Sequence, residues 1–138
     1  VDTNYDNINK YQVTHQGSEV AIIAAGGFYQ HGEALLEAIN QELGINPTLI
    51  NPRFLSGLDI DLLEQLKANH QLVITIEDGI KEGGFGSSIA SFYGPSLVRV
   101  INYGVDKVFY DRFDPGQLLI DNGMSINQIV NDIKEVLK

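Results

Sequence analysis

Residues 71–77, "QLVITIE", constrain this chain more than any other stretch. They form an apolar, β-branched run with no polar alternation, the pattern of a strand covered on both faces. The run ends on Glu77 and Asp78, passes through Gly79 and the cluster Gly83, Gly84, Gly86 and Ser87, and enters a segment where Phe85, Ile89 and Phe92 follow helical spacing. A buried strand that turns into a helix over glycines is the repeating unit of an α/β protein.

The same order appears elsewhere in the chain. "EVAIIAA" (19–25) is a second nearly continuous apolar run, followed by Gly26-Gly27 and a helical stripe of Ala34, Leu35, Ala38, Ile39 and Leu43, with Gly44 placed to stop the helix. "PTLIN" (47–51) predicts a short strand, and Asp59 can cap a helix carrying Leu62, Leu63 and Leu66 that ends near His70. "SLVRVIN" (96–102) predicts a further strand, and "DPGQLLIDNG" (114–123) a single helical turn closed by Gly123. Ser125 and Gln128 make a capping-box pair ahead of a stripe of Ile126, Ile129, Val130, Ile133 and Leu137. Near the N-terminus "QVTH" (12–15) precedes Gln16-Gly17-Ser18 and the second run, which predicts a short hairpin. Residues 1–11 lack periodicity and form a linker or arm, leaving 12–138 as the domain. The expected fold is α/β: a three-layer α/β/α sandwich on a mixed, mostly parallel five-stranded sheet with one antiparallel strand.

Composition narrows the function classes. A chain of 138 residues is one domain, burying roughly 65–70% of its unfolded surface. With no cysteine, thiol catalysis, thiolate metal sites and disulfides are excluded. The net charge of −9 has no basic block beside it, which argues against nucleic acid and against an anionic membrane as partners. No apolar run reaches the roughly 18 residues of a membrane span, the N-terminal residues are unlike a signal peptide, and a cytoplasmic protein is expected. Val1 in place of methionine suggests a processed or excised piece.

Each candidate site has a plain structural reading beside it. Gly86 is followed by Ser87-Ser88 with no lysine, so the Walker pattern is not met, and the dinucleotide fingerprint is absent after the first strand. Gly83, Gly84, Gly86, Ser87 and Ala90 let a helix start lie close on the sheet, or bind a small anion. Glu77 and Asp78 stand at the carboxyl end of a strand, where open α/β sheets place ligands. They could act as acid or base, or accept N–H groups from the following helix. His15, His31 and His70 match no metal spacing, and no serine sits in a nucleophile elbow. Tyr103, Phe109, Tyr110 and Phe113 suit a core or an interface better than a ligand box.

Taken together, three stretches resemble the C-terminal domain of the 1-deoxy-D-xylulose-5-phosphate synthases, thiamine-diphosphate enzymes of the transketolase superfamily. "LINPRFLSGLDIDLLEQL" is similar to that family's Asn-x-Arg-Phe-x-x-Pro-Leu-Asp run, giving Asn51, Arg53, Phe54, Leu58 and Asp59. "VITIEDGIKEGGFGSSI" is similar to its acid-then-Gly-Gly-Phe-Gly-Ser run, giving Glu77, Asp78, Gly79, Gly83, Gly84, Phe85, Gly86 and Ser87. "NYGVDKVFYDRFDPGQLLIDNGMS" resembles the family's closing stretch. Ser56-Gly57 and Val105-Asp106-Lys107 depart from the usual lysine-proline and leucine-proline-aspartate. Transketolases and pyruvate dehydrogenase beta subunits are the neighbouring families.

The resemblance implies that thiamine diphosphate and magnesium are held by two preceding domains, in a parent that is a homodimer. It implies that this chain carries no catalytic, cofactor or metal residue. Arg53, Asp59, Glu77, Asp78, Gly83, Gly84, Gly86 and Ser87 are then architectural or interdomain positions. The parent reaction implied joins pyruvate to glyceraldehyde 3-phosphate with loss of carbon dioxide, and feeds isoprenoid and thiamine biosynthesis.

Overall fold

The computed structural model of the protein describes residues 11–25, 29–52, 58–77, 85–104 and 125–137. Five strands, β1 (Gln12–His15), β2 (Glu19–Ala24), β3 (Thr48–Asn51), β4 (His70–Glu77) and β5 (Arg99–Gly104), lie in the order β1-β3-β2-β4-β5. β2, β3, β4 and β5 run parallel, and β1 alone is antiparallel, paired with β3. The helices are α1 (Tyr29–Leu43), α2 (Ile60–Leu66), α3 (Phe85–Tyr93) and α4 (Ile126–Leu137).

Strand pleating sorts the core into two faces. Val20, Ile22, Ala24, Leu49, Leu72, Ile74 and Ile76 point to one side, where Leu35 and Ile39 of α1 and Ile129, Val130 and Ile133 of α4 cover them. Ala21, Ile23, Ile50 and Val73 point to the other, under Leu63 and Leu66 of α2 and Ile89 and Tyr93 of α3. The three-layer sandwich is therefore the one the strand and helix order predicts. β2 and β4 are buried almost throughout, which explains why they read as continuous apolar runs.

The helix signals act as written. Gly44 takes a left-handed backbone (φ 68°), and its N–H returns to Asn40 O at 3.1 Å, closing α1. Ser125 Oγ accepts the Gln128 N–H at 3.3 Å while Gln128 Oε1 accepts the Ser125 N–H at 3.2 Å, a reciprocal capping box. Tyr11, assigned to the arm from sequence, is buried in the second core face. Residues 1–10, the expected turn at 114–123, and Phe109, Tyr110 and Phe113 lie outside the described residues.

Two expectations need correction. The hairpin over residues 12–25 does not form, because β1 pairs with β3 and the three-residue link strides across the start of β3. β2 has parallel partners on both sides in β3 and β4, so no edge is left for β1, whose mostly exposed Gln-Val-Thr-His suits the rim of the sheet. The last strand begins at Arg99 rather than Ser96. Ser96 Oγ donates to Tyr93 O at 2.8 Å and accepts the Val98 N–H at 3.2 Å, so the serine closes a turn after α3.

The crossing link accounts for Gly17. A Cβ there would lie 2.6 Å from the Pro47 carbonyl carbon and closer still to Asn46 O. The next residue but one, Glu19, is held at φ 72°, a left-handed backbone that costs a non-glycine residue about 1–2 kcal/mol. Because the obstacle at Gly17 is backbone, Gly17→Ala should lower unfolding free energy by about 3 kcal/mol. Gly94→Ala, whose Cβ would meet Ser91 O at 3.4 Å, is the control and should shift stability by less than about 0.5 kcal/mol. Urea midpoints of the two variants check both.

Candidate functional site

The strand-to-helix corner after β4 is built on one face of the sheet. Thr75 and Glu77 are two residues apart, so both project toward α3. The Glu77 carboxyl, only 5% exposed, accepts the Gly86 N–H in the first turn of α3 at 2.6 Å. A carboxylate at a helix start satisfies an otherwise unpaired donor and faces the positive end of the helix dipole.

Thr75, fully buried, donates its hydroxyl to Asn102 Oδ1 at 2.6 Å across the β4–β5 ladder, where the two residues are register partners. Gly86 rests on that pair. A Cβ on it would come within 2.8 Å of Asn102 Cγ and Oδ1 and 2.9 Å of Thr75 Oγ1. The sequence reading that small residues bring this helix close to the sheet holds at Gly86. Asn102 was missed from sequence; the signal was a lone amide inside the apolar run "VRVIN".

Asp59 does a parallel job at the start of α2. Buried at 6% exposure, it accepts the Leu62 N–H on Oδ1 at 3.2 Å and the Tyr11 N–H on Oδ2 at 2.9 Å. One carboxyl thus caps the helix and ties down the chain that enters β1. Burial pushes the Tyr11 phenol up to about 12, so it stays protonated. Burial raises Tyr93 and Tyr103 as well; their hydroxyls donate to Leu63 O at 2.7 Å and to Asp132 Oδ2 at 2.6 Å. Ser87 is half-buried in α3. Arg53, Asp78, Gly83 and Gly84 lie outside the described residues.

The histidines take separate places. His15 Nε2 meets Asn46 Oδ1 at 2.8 Å, and His31 lies on α1. His70, expected at the end of α2, is instead the first residue of β4, with its ring Nδ1 3.1 Å from Leu66 O in the last turn of that helix. Among the described residues no group of three or more histidine, aspartate or glutamate side chains could hold a metal ion. Glu77, the described acid of the corner, accepts a backbone N–H and so helps position the start of α3.

Known proteins are similar to this chain in sequence and in fold. A 1-deoxy-D-xylulose-5-phosphate synthase of Nitrosospira multiformis is 33% identical over 129 residues, covering 92% of this chain and 20% of the relative. One from Clostridium perfringens is 28% identical over 130 residues, covering 93% of this chain and 21% of the relative. The chain thus spans about a fifth of the length of these curated relatives. Among solved structures, a split-gene transketolase described as an inactive β4 tetramer superposes with a TM-score of 0.79 at 24% identity, over 92% of this chain and 42% of that one. A 2-oxoglutarate:ferredoxin oxidoreductase from Magnetococcus marinus superposes at 0.61 and 17% identity, over 99% of this chain and 21% of that one. Both likenesses bear on the fold. Residues 9–129 match the family described as "Transketolase, C-terminal domain". With that match spanning most of the chain, the protein belongs to the transketolase C-terminal domain family.

Proposed function

We propose that this chain is the C-terminal domain of a thiamine-diphosphate-dependent 1-deoxy-D-xylulose-5-phosphate synthase, and that it supplies packing and interdomain contacts rather than catalytic groups. The observation that carries the reading is that Asp59 and Glu77, two acids of the family motifs, each accept a backbone N–H at a helix start. The relatives named as such synthases, and the fifth of their length that this chain spans, support the parent class. In this reading the parent is cytoplasmic and homodimeric, and joins pyruvate to glyceraldehyde 3-phosphate.

Magnesium on a diphosphate takes one or two carboxylates besides phosphate oxygens and water. Among the described residues no group of three or more acids or histidines is placed to hold a metal ion, and Asp59 and Glu77 are engaged with backbone N–H groups. In this reading thiamine diphosphate and magnesium are held by the preceding domains of the parent.

Two outcomes follow. Titrating thiamine diphosphate with magnesium into the 138-residue chain should give no saturable heat, and a saturable isotherm would place the cofactor on this chain. The full reading frame that encodes the chain should carry an upstream Gly-Asp-Gly segment, and its product should condense pyruvate with glyceraldehyde 3-phosphate. A frame without that segment would overturn the parent assignment.

The architectural role of the corner is tested separately. Glu77→Gln keeps the shape and weakens the acceptor, and should cost about 1–3 kcal/mol. Gly86→Ala drives a methyl group into Thr75 and Asn102 and should cost about 1–3 kcal/mol. Denaturation midpoints measure both, and wild-type stability in Glu77→Gln would mean the carboxyl does not hold the helix.

A further inference from the structure

The amino edge of the sheet carries a buried histidine that the proposed function does not use. His70 is 4% exposed, and its two ring nitrogens face different partners. Leu66 O, 3.1 Å from Nδ1, can only accept, so Nδ1 carries a proton. Thr48 Oγ1 lies 2.7 Å from Nε2 and is also the acceptor for the Gly17 N–H at 3.0 Å. With the ring neutral, the chain of donors closes: Gly17 N–H to Thr48 Oγ1, Thr48 hydroxyl to Nε2, and Nδ1–H to Leu66 O.

A second proton breaks this closure. Nε2–H would then have to donate to Thr48 Oγ1, so the threonine hydroxyl would need a new acceptor in a fully buried position. The alternative is that Thr48 turns and the Gly17 N–H loses its acceptor. The segment affected is the strained one. Gly17 crosses hard against the start of β3, and Glu19 is held at φ 72° by its N–H to Asn69 O (2.8 Å) beside Ser18 N–H to Asn46 O (2.9 Å).

We propose that His70 is a proton-operated latch on the β1–β2 crossover: neutral, it holds residues 16–18 against β3 through Thr48; protonated, it releases them and loosens the pairing of β1. The proton has a route. A groove of about 670 Å³ opens at this edge, and His70 lines it together with Glu19, Lys67, Gln71, Ser96 and Arg99.

The charged groups around the ring pull in opposite directions. Glu19, the partner of His70 across the β2–β4 ladder, favours the imidazolium, while Lys67 at the end of α2 and Arg99 on β5 oppose it. His15 sits beyond the crossover on β1, bound to Asn46 Oδ1. Burial outweighs Glu19 and the Leu66 hydrogen bond, and holds His70 below the ordinary imidazole value. The unfolded chain therefore binds this proton more readily than the folded one. The latch's contribution is complete above the ordinary imidazole pKa and is lost as pH falls through the lowered folded value.

Amide hydrogen exchange on the full 138-residue chain, with ring nitrogen shifts read by NMR, tests the latch. At about pH 7.5 the ring should be neutral with its proton on Nδ1. As the ring titrates below that, the protection factor of the Gly17 amide should fall about tenfold, the equilibrium ratio that one lost hydrogen bond brings. Val73 and Thr75 amides in β4 should hold theirs. In His70→Gln, which cannot titrate, Gly17 protection should not follow the same pH step; the wild-type readout stands even if this variant fails to fold. An imidazolium or an Nε2–H tautomer at about pH 7.5 would overturn the proposal. So would Gly17 protection indifferent to ring titration, or a loss shared equally by β4.

Discussion

The hydrogen bond from the Gly86 N–H to the Glu77 carboxyl, 2.6 Å long and buried, is the joint on which the carboxyl half of the domain depends. β4 is flanked by β2 and β5 over most of its length, and α3 packs its Ile89 and Tyr93 on the face that Val73 shares. A helix arriving there must satisfy its first N–H groups without water. Glu77 supplies one acceptor, and Gly86 has no Cβ to hold the helix off the Thr75–Asn102 pair. Removing either condition leaves a buried donor unmet or forces the helix away from β5.

The opposite edge follows the same logic with different groups. There the start of β3 is crossed by the link from β1, and the link's polar backbone is met by Asn46 O, Asn69 O and the Thr48 hydroxyl. His70 completes that set while also meeting the last turn of α2 at Leu66 O. One end of the sheet is thus fastened by the carboxyls of Glu77 and Asp59, and the other by the Thr48 hydroxyl and the His70 imidazole.

Much of this was legible in the sequence where the cause is local. β2 and β4 announce themselves because strands covered on both faces lack polar alternation, and α4 because Ser125 and Gln128 satisfy each other within one turn. Asp59 was legible as a cap from its place before Leu62 and Leu63, but its second bond, to the Tyr11 N–H 48 residues away, was not. The β1–β3 pairing was hidden for the same reason: adjacency in sequence favours a hairpin, and only the burial of both β2 edges rules it out. Glu77 stands out in the sequence as an acid at a strand end, while the Gly86 N–H it accepts, and the Thr75–Asn102 pair under Gly86, come from the fold. The family resemblance came from the joint spacing of motifs, including Arg53, Asp78, Gly83 and Gly84, whose places lie outside the described residues.

The Glu77 carboxyl occupies the Gly86 N–H, a donor that a phosphate site at this helix start would need open. Titrating the chain with inorganic phosphate and with pyrophosphate while following the Gly86 and Ser87 amide shifts tests it directly. The account predicts no saturable shift at either amide beyond the general effect of added salt. A saturable, site-confined shift at Gly86, reaching a plateau as anion displaces the Glu77 carboxyl, would contradict it.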